Sequence, residues 1–382
     1  MNKQDPQYWD IFCKIIDNYG DIGVCWRLCQ QLVNDHRIQV RLFIDDFTTA
    51  KKIIPQLDTN RAQQRIEDVM ICIWPTAETM PAKVVIETFS CTLPDTYLSQ
   101  MATQQSIWIN LEYLSAETWV SDFHAKPSPH PTLKITRHFF FPGFKDDTGG
   151  LLREKNLITK RDEFLNSTIT QSEFWQTLGI QNNDHSIKIS LFCYPQANIK
   201  QLLLALFESN QASTILYSFS GTIKSLSHIF TDFKQLDANT LVKQNVTVRL
   251  VPFLSQSNYD RLLWACDLNF VRGEDSWIRA IWASKTFIWQ PYIQTEETHI
   301  KKMRAFLAAY SHNAPEEIQS LLLNTHLTWS AAKEDKGDFK ELMLALPKLN
   351  SYAKQQTHLQ SIQADLATNL LSFSEKLAKN KV

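Results

Sequence analysis

The sequence lacks most of the devices by which a chain declares its chemistry. No apolar run approaches the ~20 residues of a membrane span, and the start, Met1-Asn2-Lys3-Gln4-Asp5-Pro6, has no apolar signal core. The expectation is a cytoplasmic protein with no membrane partner. Net charge is −1, so no whole-molecule field favours nucleic acid or an anionic surface, and any partner is read by local surface. The seven cysteines, Cys13, Cys25, Cys29, Cys72, Cys91, Cys193 and Cys266, form no CxxC pair. Their odd number and mostly apolar surroundings suit reduced thiols packed as small hydrophobes. Cys25 and Cys29, four apart on an expected helix, read as packing residues too. No DxD pair occurs, and the doublets Asp45-Asp46 and Asp146-Asp147 have no histidine or third acid at ligand spacing. The histidines are dispersed, so no metal site is encoded. Absence of a GxGxxG or Walker pattern disfavours a nicotinamide oxidoreductase.

What is present has the rhythm of an α/β protein. A chain of 382 residues is a natural size for two domains, and 44% hydrophobic with 21% charged residues marks it as globular. Eleven tryptophans and 22 phenylalanines are mostly core filling. In the first half, apolar runs at residues 9–16, 40–44, 69–74, 84–87 and 107–110 read as buried strands, with a helix at 22–33. Residues 123–150, rich in proline and glycine, read as an elaborated loop around His138-Phe139-Phe140-Phe141. After the polar break at 181–184, strands are expected at 187–193, 214–217, 246–251, 268–271 and 287–289. A helix is expected at 198–208, and mostly helical sequence from Glu296 through 365–377. Such alternation predicts two Rossmann-like domains facing a cleft: residues 1–172, joined by the final helix at about 361–382, and residues 173–360. Ligands in such sheets bind beyond the carboxyl ends of the strands.

Four strand ends carry the chemistry. Val271-Arg272-Gly273-Glu274-Asp275-Ser276 is a strand–turn–helix junction that suits phosphate, through outward amides, the helix dipole and a guanidinium. Its two acids are surplus for a bare anion and fit a phosphate joined to hydroxyls, as in a nucleotide sugar. The alternative is Ser276 or Asp275 as a helix cap with Arg272 in a surface ion pair. Asp17-Asn18-Tyr19-Gly20-Asp21-Ile22-Gly23 places two carboxylates four residues apart after the first strand, where Gly20 and Gly23 permit a tight turn. The alternative there is Asp21 as helix cap and Asp17 as turn residue. Phe253 and Gln256, after one strand, and Cys193-Tyr194-Pro195, after another, add a base-stacking face and an amide; singly, each is ordinary packing. Segments 87–91 and 110–114 are polar strand ends in the first half.

With these residues in place, the chain resembles the EarP family, the bacterial elongation factor P arginine rhamnosyltransferases, over nearly its full length. The DNYGDxG turn, NLEYLSAE at 110–117, HFFFPGF at 138–144 and VRGEDS together carry the likeness. It implies a GT-B fold, dTDP-β-L-rhamnose as donor, and inverting, metal-free transfer of rhamnose to an arginine of elongation factor P, with no cofactor. It points to Asp21 as general base. Asp17 would orient the acceptor guanidinium, and Glu274 would hold sugar hydroxyls or that guanidinium. The donor would lie against Tyr19, Gly20, Tyr194, Phe253, Gln256, Arg272, Glu274, Asp275, Ser276, Gln290 and Tyr292. The alternatives are a nucleotide-sugar epimerase or a GT-B glycosyltransferase with another acceptor.

Overall fold

A computed structural model of the chain describes residues 8–16, 19–76, 78–180, 185–218, 226, 228–330 and 338–380. Two units emerge: residues 1–155 with 360–382, and residues 156–359. Among the described residues, no helix is long and apolar enough to cross a membrane. None of the seven cysteines is in a disulfide.

The first unit is built on strands β1 (Tyr8–Cys13), β2 (Gln39–Ile44), β3 (Gln63–Ile66), β4 (Val69–Ile73), β5 (Val84–Thr88), β6 (Ile107–Leu111), β7 (Pro127–Pro129) and β8 (Thr136–Phe140). Their order is β3-β4-β2-β1-β5-β6-β8-β7. The interior pairs are parallel, and the two edge pairs, β3 with β4 and β7 with β8, are antiparallel. Helices cover both faces of a parallel sheet, so its strands are continuous apolar runs rather than alternating ones; β5 and β6 are buried at every residue. Asp10 interrupts the apolar run of β1 with no exposure. A carboxylate there is tolerable only if fully paired. It accepts from Arg41 Nε at 2.6 Å and Nη2 at 2.7 Å, from the Ala82 amide at 2.7 Å, and from the Tyr97 hydroxyl.

The second unit holds β9 (Ile187–Leu191), β10 (Ser213–Ser218), β11 (Lys234–Asp237), β12 (Thr240–Lys243), β13 (Val246–Val251), β14 (Leu268–Arg272) and β15 (Thr286–Gln290), in the order β11-β12-β13-β10-β9-β14-β15. From β13 through β15 the pairs are parallel, and β11 and β12 close one edge as antiparallel strands.

Both sheets therefore start in the middle. From β1 the chain winds outward through β2 to β4, then restarts on the other side of β1 with β5, β6 and β8. From β9 it winds through β10 to β13, then restarts beside β9 with β14 and β15. Successive crossovers on the two sides of a central strand cover opposite faces, and a crevice opens between the two carboxyl ends where the direction reverses. These switch points lie at β1/β5 and at β9/β14.

Two expectations need correction. The His138-Phe139-Phe140-Phe141 run is a sheet strand for most of its length: β8 pairs with β6, His138 facing Ile109 and Phe140 facing Leu111. The surrounding prolines and glycines hid it, because Pro127 and Pro129 form its edge partner β7, a position where a missing amide does no harm. The division between the units falls at 155/156 rather than 172/173. Helix Leu157–Asn166 belongs to the second unit, where Arg161 Nη1 donates to the Trp282 carbonyl at 2.8 Å and Phe164 packs on Trp264. An amphipathic helix carries no mark of which sheet it will cover. The final helix, Leu366–Lys379, is tied to the first unit through the Leu366 amide on the Leu151 carbonyl and Gln31 on Asp365.

Helices Gln256–Ala265 and Asp275–Trp282 are joined by a buried fork, Arg279 Nε to Asp260 Oδ1 at 2.9 Å and Nη2 to Oδ2 at 2.7 Å. Asp260→Ala strands the guanidinium without this counter-charge. We expect a loss of about 3–5 kcal/mol of unfolding free energy, measured by urea titration; a loss within the scatter of surface substitutions would mean the pair does not set the helix spacing.

Candidate active site

At the first switch point, helix Gly20–His36 starts after the loop that leaves β1. Asp17 lies outside the described residues. Tyr19 holds the cap position without capping through its side chain, so Asp21 is not the cap. It sits in the first turn, 2% exposed, where the helix dipole favours an anion. Its Oδ2 accepts from the Ile16 amide at 2.8 Å, and its Oδ1 from the Tyr113 hydroxyl at 3.2 Å. Gly20 and Gly23 lie inside the helix, and neither is among the glycines of positive φ. The tightness expected of them is found elsewhere, just past β5.

There Phe89, Ser90 and Thr92 have φ of 55°, 54° and 60°. Non-glycine residues pay steric strain in this left-handed region. The turn is latched from several directions. The Phe89 amide donates to the Leu111 carbonyl at 2.7 Å, the Ser90 amide to Asn110 Oδ1 at 3.2 Å, and the Thr92 amide to Glu87 Oε1 at 3.2 Å. Ser90 Oγ also donates to Glu112 Oε1 at 3.0 Å. Glu87 is buried and accepts from Trp108 Nε1 at 3.0 Å, with Arg137 at 3.7 Å. Desolvation pushes its carboxyl above the usual carboxylate range, and Arg137 and the donors oppose that. The Phe89 ring lies flat on Tyr113, centroids 4.1 Å apart and planes 8° apart. Sequence reasoning marked these segments as polar strand ends and as candidate acceptor-docking loops (88–92 and 112–118), without anticipating the contact of Tyr113 with Asp21.

At the second switch point, Arg272 ends β14 and is half-buried. Its guanidinium carbon stands 4.3 Å from the Phe192 ring centroid and 4.6 Å from that of Tyr194, and Nη1 donates to the Cys193 carbonyl at 3.2 Å. The surface ion pair considered as an alternative is replaced by an aromatic sandwich. Phe192, which directly follows β9, had no sequence signal beyond its neighbour Tyr194. Burial pushes the Cys193 thiol up to about 12, so it stays protonated.

The turn itself differs in detail from the expected row of outward amides. The Arg272 amide donates to Ser276 Oγ at 3.2 Å, the Gly273 amide to the Gln290 carbonyl at 3.2 Å, and the Ser276 hydroxyl to the Arg272 carbonyl. Ser276 thus shapes the turn with its side chain. Gly273, at φ 63°, is the residue the turn needs as glycine; its carbonyl accepts from Trp289 Nε1 at 2.7 Å, while Trp289 stacks on Trp277 at 3.7 Å. Glu274 occupies the cap position without capping, and Asp275 opens the helix. What remains for an anion is Arg272 and the first turn of helix Asp275–Trp282.

The other expected residues fall around this point to different degrees. Gln290, 1% exposed at the end of β15, accepts from the Tyr194 amide at 2.8 Å. Tyr194 and Tyr292 meet edge to face, 5.9 Å apart. Tyr194, Arg272, Gln290 and Tyr292 thus form one cluster. Phe253, 51% exposed, and Gln256, the first residue of its helix, lie past β13, which β10 separates from β9. Among the described residues, no group of three or more histidine, cysteine, aspartate or glutamate side chains is placed to hold a metal ion.

Comparison with known proteins places this geometry. The family model for the elongation factor P (EF-P) rhamnosyltransferase EarP matches residues 9–375. A protein-arginine rhamnosyltransferase of Pseudomonas putida is 40% identical over 369 residues, covering 96% of this chain and 98% of that protein. A solved structure described as the basis for EarP-mediated arginine glycosylation of translation elongation factor EF-P superposes with a TM-score of 0.68 at 30% identity, covering 97% of this chain and 99% of that one. The spinosyn rhamnosyltransferase SpnG with thymidine diphosphate matches at a TM-score of 0.51 and 10% identity, over 96% and 99% of the two chains, and so shares the two-domain GT-B plan alone. The chain belongs to the EarP family of protein-arginine rhamnosyltransferases.

Proposed function

We propose that this enzyme transfers L-rhamnose from dTDP-β-L-rhamnose to an arginine side chain of elongation factor P, with inversion. Its place of action is then the cytoplasm, where a translation factor works. The observation that carries the reading is Asp21: a buried carboxylate at the first switch point, with the Ile16 amide on one oxygen and the Tyr113 hydroxyl on the other. A guanidinium stays protonated at cellular pH and is a poor nucleophile. Transfer therefore needs a base, here a carboxylate, that takes a proton from the attacking nitrogen as its bond to the sugar's anomeric carbon forms. Asp21 fills that role, with Asp17 orienting the acceptor. The bond from the anomeric carbon to the diphosphate oxygen breaks on the opposite side, and dTDP leaves with the electron pair.

Arg272 meets the charge growing on that diphosphate, together with the helix start at Asp275 and Ser276. This supplies positive potential without calling on a metal ion or cofactor. Its guanidinium is fixed in advance by Phe192 and Tyr194, so little reorganisation accompanies the reaction. Glu274, at the same helix start, takes the sugar hydroxyls or the acceptor guanidinium. Phe253, 51% exposed, stacks on the thymine, with Gln256 for its edge, while Tyr194, Gln290 and Tyr292 complete the donor wall. Tyr19 and Gly20, beside Asp21, border the sugar.

Intact-mass measurement of elongation factor P after incubation with this enzyme and dTDP-rhamnose should show a rhamnose-sized increase; an unchanged mass would overturn the assignment. Asp21→Asn should lower turnover by about 10²–10⁴-fold, the worth of a general base, while calorimetric titration shows dTDP affinity unchanged. If dTDP binding is what fails, Asp21 is a donor-binding group instead. Arg272→Ala should weaken dTDP by about tenfold or more, as expected for a lost hydrogen bond to a charged group. Unaltered affinity would remove Arg272 from the phosphate site.

A further inference from the structure

We infer that Tyr113 is a positioning residue for this reaction: its hydroxyl, with its ring held by Phe89, fixes the direction in which Asp21 presents its carboxylate. The inference rests on the general-base reading of Asp21 and adds to it the part that aims the base.

A carboxylate that takes a proton must hold one lone pair on the line of transfer, and small misplacements are costly in rate. One hydrogen bond leaves the group free to swing about the bonded oxygen. In this protein Oδ2 is held by the Ile16 amide, a backbone donor in the loop just before the helix, and Oδ1 by Tyr113. The Tyr113 contact, on the other oxygen from Ile16, restrains the plane of the carboxylate. At 3.2 Å it is long for an O–H···O bond, as such bonds commonly are before substrate tightens them.

A tyrosine can aim another group only if its own ring is fixed. Tyr113 stands just past β6, and one face of its ring is covered by Phe89 at 4.1 Å and 8°. Phe89 reaches that place only because the turn after β5 takes left-handed conformations at Phe89, Ser90 and Thr92. Each costs strain of a kind that persists where the surroundings over-determine it. The latches are visible: the Leu111 carbonyl on Phe89, Asn110 on Ser90 and Glu87 on Thr92. If the turn only had to connect two elements, glycine would make it without strain. The side chain retained at Phe89 is what puts a ring against Tyr113. From Glu87 through the turn, Phe89 and Tyr113 to Asp21, the contacts form one continuous chain.

Tyr113→Phe keeps the stack and removes only the hydroxyl. We expect kcat to fall about tenfold to a hundredfold, the range for a lost hydrogen bond to a charged group. KM for dTDP-rhamnose and for elongation factor P, dTDP affinity and the thermal midpoint should all stay unchanged. A purely structural role would move the thermal midpoint or KM instead, and a wild-type kcat would overturn the inference outright. Phe89→Leu keeps the hydroxyl and removes its backing. It should lower kcat in the same sense by less, and it carries the test should Tyr113→Phe not fold; a wild-type kcat there would show that the ring needs no support. Asp21→Asn measured alongside separates the two levels. An active Asp21→Asn enzyme sinks the general-base reading, whereas a dead one beside a fully active Tyr113→Phe enzyme sinks only the present inference.

Discussion

Parallel strands cannot be joined by hairpins, and from that constraint the rest follows. Each connection must return over a face of the sheet, and with a fixed hand the chain can fill both sides of its first strand only by restarting there. The reversal leaves a gap between two carboxyl ends that no connection crosses. Both units form a parallel core with such a gap, at β1/β5 and at β9/β14, and Asp21 and Arg272 stand beside the two gaps. The same winding accounts for the buried apolar strands that frame each gap. Rigid β-structure beneath loop residues is what lets those residues be held to fractions of an ångström.

The two gaps each hold a charged group in a fixed direction, by different means. An anion is held by donors, so Asp21 is met by a backbone amide and a phenol. A guanidinium is planar and weakly hydrated, so Arg272 is held between aromatic faces and tied by one carbonyl. The surroundings also spend their own groups on geometry. The Ser276 hydroxyl bonds the Arg272 backbone, and the Gln290 amide oxygen is taken by Tyr194. These residues serve the site by shaping it, a role that residue type alone does not reveal.

Legibility in the sequence followed the range of the interaction. The parallel strands β1, β2, β4–β6, β9, β10 and β13–β15 were readable because a buried parallel strand is a local apolar run. The placement of Arg272 and Asp21 beside a strand end and a helix start was readable because both features are local. β8 was not, since its strand character depends on pairing with β6 and its neighbours look like loop. The switch points were not, because strand order is a long-range property. Phe192 and Tyr113 escaped for the same reason: what distinguishes them is a partner roughly eighty or ninety residues away, Arg272 for one and Asp21 for the other. The left-handed turn escaped because its usual mark, glycine, is missing from Phe89, Ser90 and Thr92.

That missing mark sets stability against performance within four residues. A backbone criterion would judge Ser90 and Thr92 the easiest places to improve the protein, since glycine removes the clash each side chain suffers. Neither glycine would remove the latches at these two positions, because Ser90 and Thr92 hold Asn110 and Glu87 through backbone amides. The strain at Ser90 and Thr92 is therefore separable from the placing of the ring, whereas at Phe89 the strained backbone and the stacked side chain belong to one residue.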